Sequence, residues 1–531
     1  MKKKLFIAIF VILLPCAAYA ATLNVNGSTG NDSNTYAQVA AGTHQWASLD
    51  RAVFGSTDRD TPVTAQAAQA GDTVIVAAGT YVTLSAGHGT KYPYFNPVNS
   101  GSSGNLITFQ TDGGAVVLQF PSGAGGMIGA YSVDYIKWDG FTIDEANALS
   151  RPDTGPIVLW DTTGSIIENC VVDGNGDPGY GDNHNGIRLE ATINCTVRNN
   201  LLHTITTSGV NQRNGAGIMA YSNQGALIEN NEIHGCGTGI YLKGESAFVQ
   251  HSYTVRYNNI YSNAWGMYVT NFSGSQESHR SLIYQNIVRD NTARGISVAG
   301  DVSVMNYVTV YNNTIDNSLL NIGPRYVGSG ITNLIFRDNL STNGSELFAA
   351  GDTNSLTGWT TDYNLYYASS PYWTYDGDGY SSIATWRAAI SGDANSSVAD
   401  PQYVDRAEKD YRVSVGSPAL TASSTGGPVG AYITGSEAIG IDGETPDPTC
   451  SDGIQNGDET GVDCGGSCDP CAVPATCETD ATECDNETDC STYWPAYYWC
   501  APVCQAEACE TPATSRPTAK GVRIKRAVVS P

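Results

Sequence analysis

Positive charge is scarce in this sequence. Only 27 Lys and Arg stand against 52 Asp and Glu, a formal net charge of −25. A surface of that sign repels nucleic acid and anionic lipid, which excludes both as partners. An acidic substrate would have to be met by a local basic cluster or a bound cation. Long apolar runs are missing after Leu14, which excludes membrane insertion by a later helix. Helical periodicity is also rare. Fifty-eight Gly and 30 Tyr, with abundant Asn, Thr and Ser, read instead as an all-β chain with many turns. Cysteine is thin until late: only Cys16, Cys170, Cys195 and Cys236 precede Cys450.

The ends carry their own signals. Lys2, Lys3 and Lys4, the short apolar run Leu5 to Leu14 and the small residues Ala18-Tyr19-Ala20 form a secretion signal over residues 1–20. Cleavage after Ala20 is expected, giving a secreted, extracellular or periplasmic product. It would remove three lysines and leave 24 bases against 52 acids. Domain boundaries are expected at 435 and 510: a folded domain over 21–435, an acidic Cys-rich region over 436–510, and a flexible basic tail over 511–531.

The middle of the chain repeats. "IIENCVVD", "TVRNNLLH", "LIENNEIH", "VRYNNIYS", "LIYQNIVRD", "TVYNNTID" and "IFRDNLST" are variants of one unit. Aligned on the residue before the second apolar run, they give a column of Gly140, Cys170, Asn200, Asn231, Asn258, Asn286, Asn313, Asn339 and Asn364. The period drifts between 31 and 25 residues. Fixed-period self-similarity built on strand alternation means a solenoid of strands. Asn suits tight left-handed turns, and its amide can bond to the Asn one coil away. The expected fold is all-β, a parallel β-helix, with nine repeats spanning roughly 38 Å at about 4.8 Å per step. "ASLDRAVFG" (residues 47–55) has an amphipathic pattern suited to plug the N-terminal end. Residues 365–432 are expected to close the other.

The Asn column, "LNVNGSTGNDSN", "AGDTVIVAAGTY" and "DPQYVDRAEKDYRVSVGSPA" together resemble the right-handed parallel β-helices of the pectate-lyase-like superfamily. The resemblance covers roughly residues 22–432 and implies the fold. It says less about activity, because that scaffold hosts lyases, hydrolases, epimerases and non-catalytic surface proteins.

A second column reads "GIRLE", "GIMAY", "GIYLK", "GMYVT" and "GISVA", starting at Gly186, Gly217, Gly239, Gly266 and Gly295. Alternation sends residues such as Ile187, Ile240 and Val269 inward. The outward residues then form two stacks. One is Arg188, Met219, Tyr241, Tyr268 and Ser297; the other is Glu190, Tyr221, Lys243, Thr270 and Ala299. "DGNGDPGYGDNHN", "HTITTSGVNQRN" and "NFSGSQESHR" are insertions that would wall this face. A groove so lined suits an extended polymer.

The residue types suit β-elimination on a uronic-acid polymer. That reaction needs the carboxylate neutralised, a base for the neighbouring proton, and an acid for the leaving oxygen. Lys243 between tyrosines could be the base, with Arg188 and Tyr221 as its catalytic partners. Glu190, Tyr241, Tyr268, Thr270 and His184 would contact substrate. Lyases of the superfamily that the sequence resembles use a Lys and an Arg on such a face, commonly with calcium. The opposing reading makes Lys243 a solvated surface charge and the tyrosines a stacking ladder. His203 and His234 read as structural.

Asp173, Asn175 and Asp177 have the spacing of a calcium loop, but Pro178 and His184 depart from the EF-hand pattern. The tail is a separate unit, with seventeen acids and no Lys or Arg between Ser436 and Glu510. "CSDGIQNGDETGVDCGGSCDPC" resembles a small Cys-rich module of exported bacterial proteins. Cys450, Cys464, Cys468, Cys471, Cys477, Cys484, Cys490, Cys500, Cys504 and Cys509 are an even, dense set that reads as disulfides in an exported chain. The expected partner is a polysaccharide, bound by a monomer. Two functions stand: a polysaccharide lyase, and a non-catalytic carbohydrate-binding or adhesive protein.

Overall fold

The computed structural model describes residues 20–84, 93–119, 126–145, 155–176, 183–207, 212–244, 250–271, 278–300, 307–327, 333–351 and 358–441. Apart from Ala20, the signal segment lies outside them, as do Asp177 and all ten cysteines of the tail. The chain divides into a unit Met1–Asp447 and a unit Pro448–Pro531; every described residue belongs to the first.

That unit is a coil of parallel strands forming three sheets. Sheet I has twelve strands, from Thr22–Val25 to Trp359–Asp362. Sheet II also has twelve, from Gly79–Val82 to Ser397–Val398. Sheet III has nine, from Pro93–Phe95 to Leu320–Val327. Each coil contributes one strand to each sheet, and alternation decides which side chains go inside. Ile187, Leu189, Ile218, Ile240, Leu242, Met267, Val269, Ile296 and Val298 all join the buried core, as the period-two pattern predicts. Cys170, Cys195 and Cys236 sit in the same core as free thiols. Burial pushes their thiols up, to about 12, 11 and 12.

The Asn column is a buried hydrogen-bonded ladder at the corner between sheets I and II. Asn258 is representative. Its Nδ2 donates to Asn286 Oδ1 (2.9 Å), Arg256 O (2.9 Å) and Ile228 O (3.0 Å), and its Oδ1 accepts from Asn231 Nδ2 at 2.9 Å. The ladder ends where Asn364 N–H donates to Ser396 Oγ at 2.7 Å. Two details differ from expectation. The left-handed residue is the one before each ladder Asn: Asn199, Asn230, Tyr257, Gln285 and Asn312 have φ between 50° and 57°. Gly140 also belongs one position earlier, because Asp139 pairs with Glu168 and so Gly140 aligns with Asn169. Its φ of 86° makes it that coil's left-handed residue, and Phe141 takes the ladder position. A second, unforeseen ladder joins Cys236, Asn263 and Asn291 at the corner before sheet III.

The N-terminal end is plugged by the helix Leu49–Phe54, capped by the Ser48 hydroxyl and buried along its length. Gly55 ends it at φ 70°, where a Cβ would lie 2.0 Å from Val63 O. At the other end the helix Ile383–Ile390 buries Trp386, whose Nε1 donates to Asp393 Oδ2 at 2.8 Å. Residues 400–441 do not close that end. They turn back as a strap along sheet II. Arg406 Nε and Tyr411 Oη both donate to Asp316 Oδ2 (2.9 and 3.0 Å), Ser424 N to Asp338 Oδ1 (2.6 Å), and Asn230 Nδ2 reaches Ala438 O (2.7 Å). Among the described residues no helix is long and apolar enough to cross a membrane.

Candidate active site

The two outward stacks form on sheet III in the predicted register. Glu190, Tyr221, Lys243, Thr270 and Ala299 are in line, and beside them Arg188, Met219, Tyr241, Tyr268 and Ser297. The register also runs upstream, adding Trp160 and Tyr131 before Glu190, and Val158 and Gly129 before Arg188.

Lys243 is not a solvated surface charge, for its residue is only 4% exposed. Its Nζ donates to Tyr221 Oη at 2.8 Å and to Asn214 Oδ1 at 3.1 Å. The ammonium also lies over the rings of Tyr241 (4.3 Å) and Tyr221 (4.8 Å). Asn214 ends a short 3-10 turn, Gln212–Asn214, that leads into sheet III. Asn185 Nδ2 fixes this turn by donating to Asn214 O at 2.9 Å. The insertion "HTITTSGVNQRN" therefore supplies a direct partner of the lysine.

Arg188 is also buried, and its fork is occupied. Nε and Nη2 both donate to Glu190 Oε2, at 2.9 and 2.6 Å. Its guanidinium carbon lies 4.6 Å from the Tyr221 ring centre. Tyr221 thus carries a cation on two sides, Lys243 and Arg188. Arg213 adds a third basic group, 5.1 Å from the Tyr268 ring and 5.5 Å from Trp265. In an acidic chain, this face of sheet III gathers Arg188, Arg213 and Lys243.

Several residues expected to meet substrate are covered. Tyr241 and Tyr268 pack on each other at 5.0 Å and are buried. Thr270 is buried, with its hydroxyl toward Asn271 O. Asn214 and the close packing of rings over cations cover what strand alternation alone would expose. His184 is buried too. Its Nε2 faces Glu145 Oε2 at 2.6 Å and its Nδ1 faces Thr206 O at 2.9 Å. A carbonyl only accepts, so Nδ1 carries a hydrogen, and the pair ties three successive coils together. That makes His184 a structural tie and not a substrate contact. His203 and His234 stack with Tyr261 on sheet II, away from this face.

The calcium loop gathers few donors among the described residues. Asp173 Oδ1 accepts from Asn175 N at 3.0 Å and lies 3.5 Å from His203 Nδ1. This is a polar turn beside a histidine, and these residues alone do not fit a calcium ion. Among the described residues no group of three or more His, Cys, Asp or Glu could hold a metal.

Residues 157–360 match the family model described as right handed beta helix region. The fold is a right-handed parallel β-helix. The uncharacterized protein YwoF of Bacillus subtilis (strain 168) is 27% identical over 193 residues, which cover 34% of this chain. The chain spans only 40% of that curated relative's length. Among solved structures, pectate lyase Pel9A aligns with a TM-score of 0.44 and 16% identity, over 78% of this chain and 97% of that one. The A-module of the mannuronan C-5 epimerase AlgE4 from Azotobacter vinelandii aligns with a TM-score of 0.41 and 16% identity, over 56% and 80%.

Sequence reasoning missed Asn214, Arg213 and Glu145, which come from connections whose course no periodicity reveals, and Asn185, which opens the strand Asn185–Glu190. Trp160 and Tyr131 were more accessible. "PIVLW" and "GMIGAY" carry the same alternation as the later units but lack their Gly-Ile start.

Proposed function

We propose that this is an exported polysaccharide lyase that cleaves a uronic-acid-containing polymer by β-elimination at Lys243. The observation that carries the reading is the 2.8 Å contact between Lys243 Nζ and Tyr221 Oη, flanked by Arg188, on a basic face of an acidic protein. The neutral lysine amine takes the proton beside the substrate carboxylate. The C–H electrons form the new double bond, the glycosidic C–O bond breaks, and the leaving oxygen takes the Tyr221 hydroxyl proton. The proton on Lys243 then returns to Tyr221 along their hydrogen bond, which resets both groups. Arg213 and Arg188 supply positive charge toward the carboxylate. Arg188 does so only in part, because Glu190 already holds its fork.

A non-catalytic binding role draws support from one feature, the closure of Lys243 behind Tyr221, Tyr241 and Asn214. The deciding experiment incubates the purified protein with polyuronates, uronic-acid heteropolymers and neutral glycans, with and without chelator. Ultraviolet absorbance from a new double bond supports the lyase. Binding without any product supports the adhesive role.

A further inference from the structure

The C-terminal end of the coil holds a concave site that the lyase reading does not use. Register makes Trp359 and Tyr375 inward residues. Trp359 follows Leu334 in sheet I, and Tyr375 follows Ala350 in the short sheet of Phe348–Ala350, Trp373–Tyr375 and Asp378–Tyr380. Leu334 and Ala350 are buried in the core, but Trp359 and Tyr375 are part-exposed. Sheet I ends at Trp359–Asp362, so no further strand of that sheet covers the indole. The helix Ile383–Ile390 seals the adjoining core by setting Trp386 against Phe348, 5.6 Å between ring centres. Between the C-terminal end of that helix and the two part-exposed rings lies a cavity of about 430 Å³, bordered by Trp359, Thr360, Asp362, Tyr375, Ile390 and Ser391 among others.

The lining sets the chemistry of what fits. Trp359 is held rigidly, its ring stacked on buried Phe348 at 5.7 Å and 19°, and the Tyr375 ring stands 6.3 Å from it. Two acids border the cavity, and both are engaged by the protein. Asp362 Oδ1 accepts from Asn395 N (2.7 Å) and Tyr363 N (3.0 Å), and its Oδ2 accepts from Asn395 Nδ2 (2.8 Å). Asp393 Oδ2 accepts from Trp386 Nε1 at 2.8 Å. No Lys or Arg borders the cavity. An anion would meet like charge there, and a cation would compete with the N–H donors already on those carboxylates. Among the described residues Trp359 Nε1, Tyr375 Oη, Thr360 Oγ1 and Ser391 Oγ make no hydrogen bond. Apolar walls with a few uncharged donors and acceptors, in a volume within the roughly 300–1,000 Å³ of small-ligand sites, suit a neutral ring that carries hydroxyls.

We propose that this cavity binds a neutral saccharide of one or two rings, as a second glycan site at the end of the coil. A sugar ring packs an apolar face against Trp359 and Ile390, and its hydroxyls bond to those of Thr360, Tyr375 and Ser391. A uronic acid binds less well, because Asp362 and Asp393 oppose its carboxylate. The site lies about five strand spacings beyond Lys243, roughly 24 Å along the axis, and does not depend on the lyase reading.

The test is calorimetric binding of cellobiose, lactose, xylobiose and mannobiose, with galacturonic acid and free tryptophan as controls. It compares wild type, Trp359→Ala, Trp359→Phe, Gly392→Phe and Lys243→Met, each checked for folding by melting temperature. Gly392 also borders the cavity, and a Cβ there would lie 3.5 Å from Ile390 Cδ1, an ordinary contact, so Gly392→Phe fills space without forcing the backbone. At least one neutral disaccharide should bind wild type and Lys243→Met within about twofold of each other. Trp359→Ala should weaken it at least tenfold, and Trp359→Phe should restore most of the loss. Gly392→Phe should weaken it as much, and it decides the matter where Trp359→Ala does not fold. The proposal is overturned if no neutral disaccharide binds, or if binding persists in the deciding variant. Loss of binding in Lys243→Met overturns it too, by placing the sugar on sheet III. Tighter binding of galacturonic acid or tryptophan than of every neutral sugar overturns the assigned ligand class. None of these results bears on whether the protein cleaves a polyuronate.

Discussion

Lys243 and Tyr221 face each other across adjacent coils of sheet III, Nζ to Oη 2.8 Å apart, with Asn214 as the second acceptor of the ammonium. Two outcomes follow for substitution at this pair. Lys243→Met should lose at least a thousandfold in rate, because no base remains. Its melting temperature should fall modestly, since the part-buried oxygens of Tyr221 and Asn214 lose their donor at a cost of about 1 kcal/mol. Tyr221→Phe should keep substrate binding and lose kcat, as expected for the acid to the leaving oxygen. Full activity in Lys243→Met would sink the elimination mechanism proposed here. The wild-type rate should rise with pH as the amine becomes neutral.

The Asn ladder makes a separate prediction about stability. Asn258→Leu removes a side chain whose amide serves four partners in buried surroundings. Denaturant unfolding should show a loss of about 1–3 kcal/mol or more. Asn199→Gly, one position outside the ladder at φ 55°, should cost far less, because glycine accepts that backbone.

His279 sets an acid limit. It is fully buried on sheet I, stacked on Tyr253, with Nδ1 2.8 Å from Ser281 Oγ. Burial, with help from nearby His251, pushes its pKa down to about 3 from 6.5. Between those values the unfolded chain binds a proton that the folded chain refuses. The stability present above pH 6.5 is therefore lost as pH falls toward 3, by about 1.4 kcal/mol per pH unit from this group. His279→Gln should flatten that slope in urea melts at pH 4 to 6. An unchanged slope would mean that other groups govern acid unfolding.

The end of the folded unit can be located by truncation. Glu437 Oε1 accepts from Ile433 N (3.0 Å) and Thr434 N (2.8 Å), and Gly440 N donates to Tyr257 O (2.9 Å). Ile439 is buried against Ile287 and Tyr411. A chain ending at 441 should keep its melting temperature. One ending at 435 should lose about 1–3 kcal/mol.

Thiol titration tests the tail. An exported, unreduced chain without Cys16 should show three thiols, those of Cys170, Cys195 and Cys236, and only after denaturation. Five disulfides among the tail cysteines predict no others. A larger count would argue that the tail holds metal instead.

The sequence made the coil legible because its constraints are periodic. The inward residues from Ile187 to Val298 and the line Glu190–Tyr221–Lys243–Thr270 follow from a period of two that restarts at each Gly, although the steps along that line vary between 22 and 31 residues. The one-residue error at Gly140 arose because a left-handed glycine and a ladder asparagine both mark the same corner. Burial of Lys243 was not legible. It depends on how Asn214 folds over the strand, and an aperiodic connection leaves no pattern that reports its path. The fork of Arg188 illustrates the same limit. Glu190 is two residues away on the same strand, and only side-chain geometry shows that the two bind each other.

The strap of residues 400–441 bears on how the molecule is made. A coil whose strands pair only with their neighbours can assemble one turn at a time, and can fray from its free end in the same way. The strap is synthesised after all of those turns, yet it binds Asp316, Asp338 and Asn230, which lie on turns made much earlier. It works as a late clasp. Turns that would otherwise open one by one are held to a common segment, so unfolding should proceed as a single cooperative event once the clasp has closed.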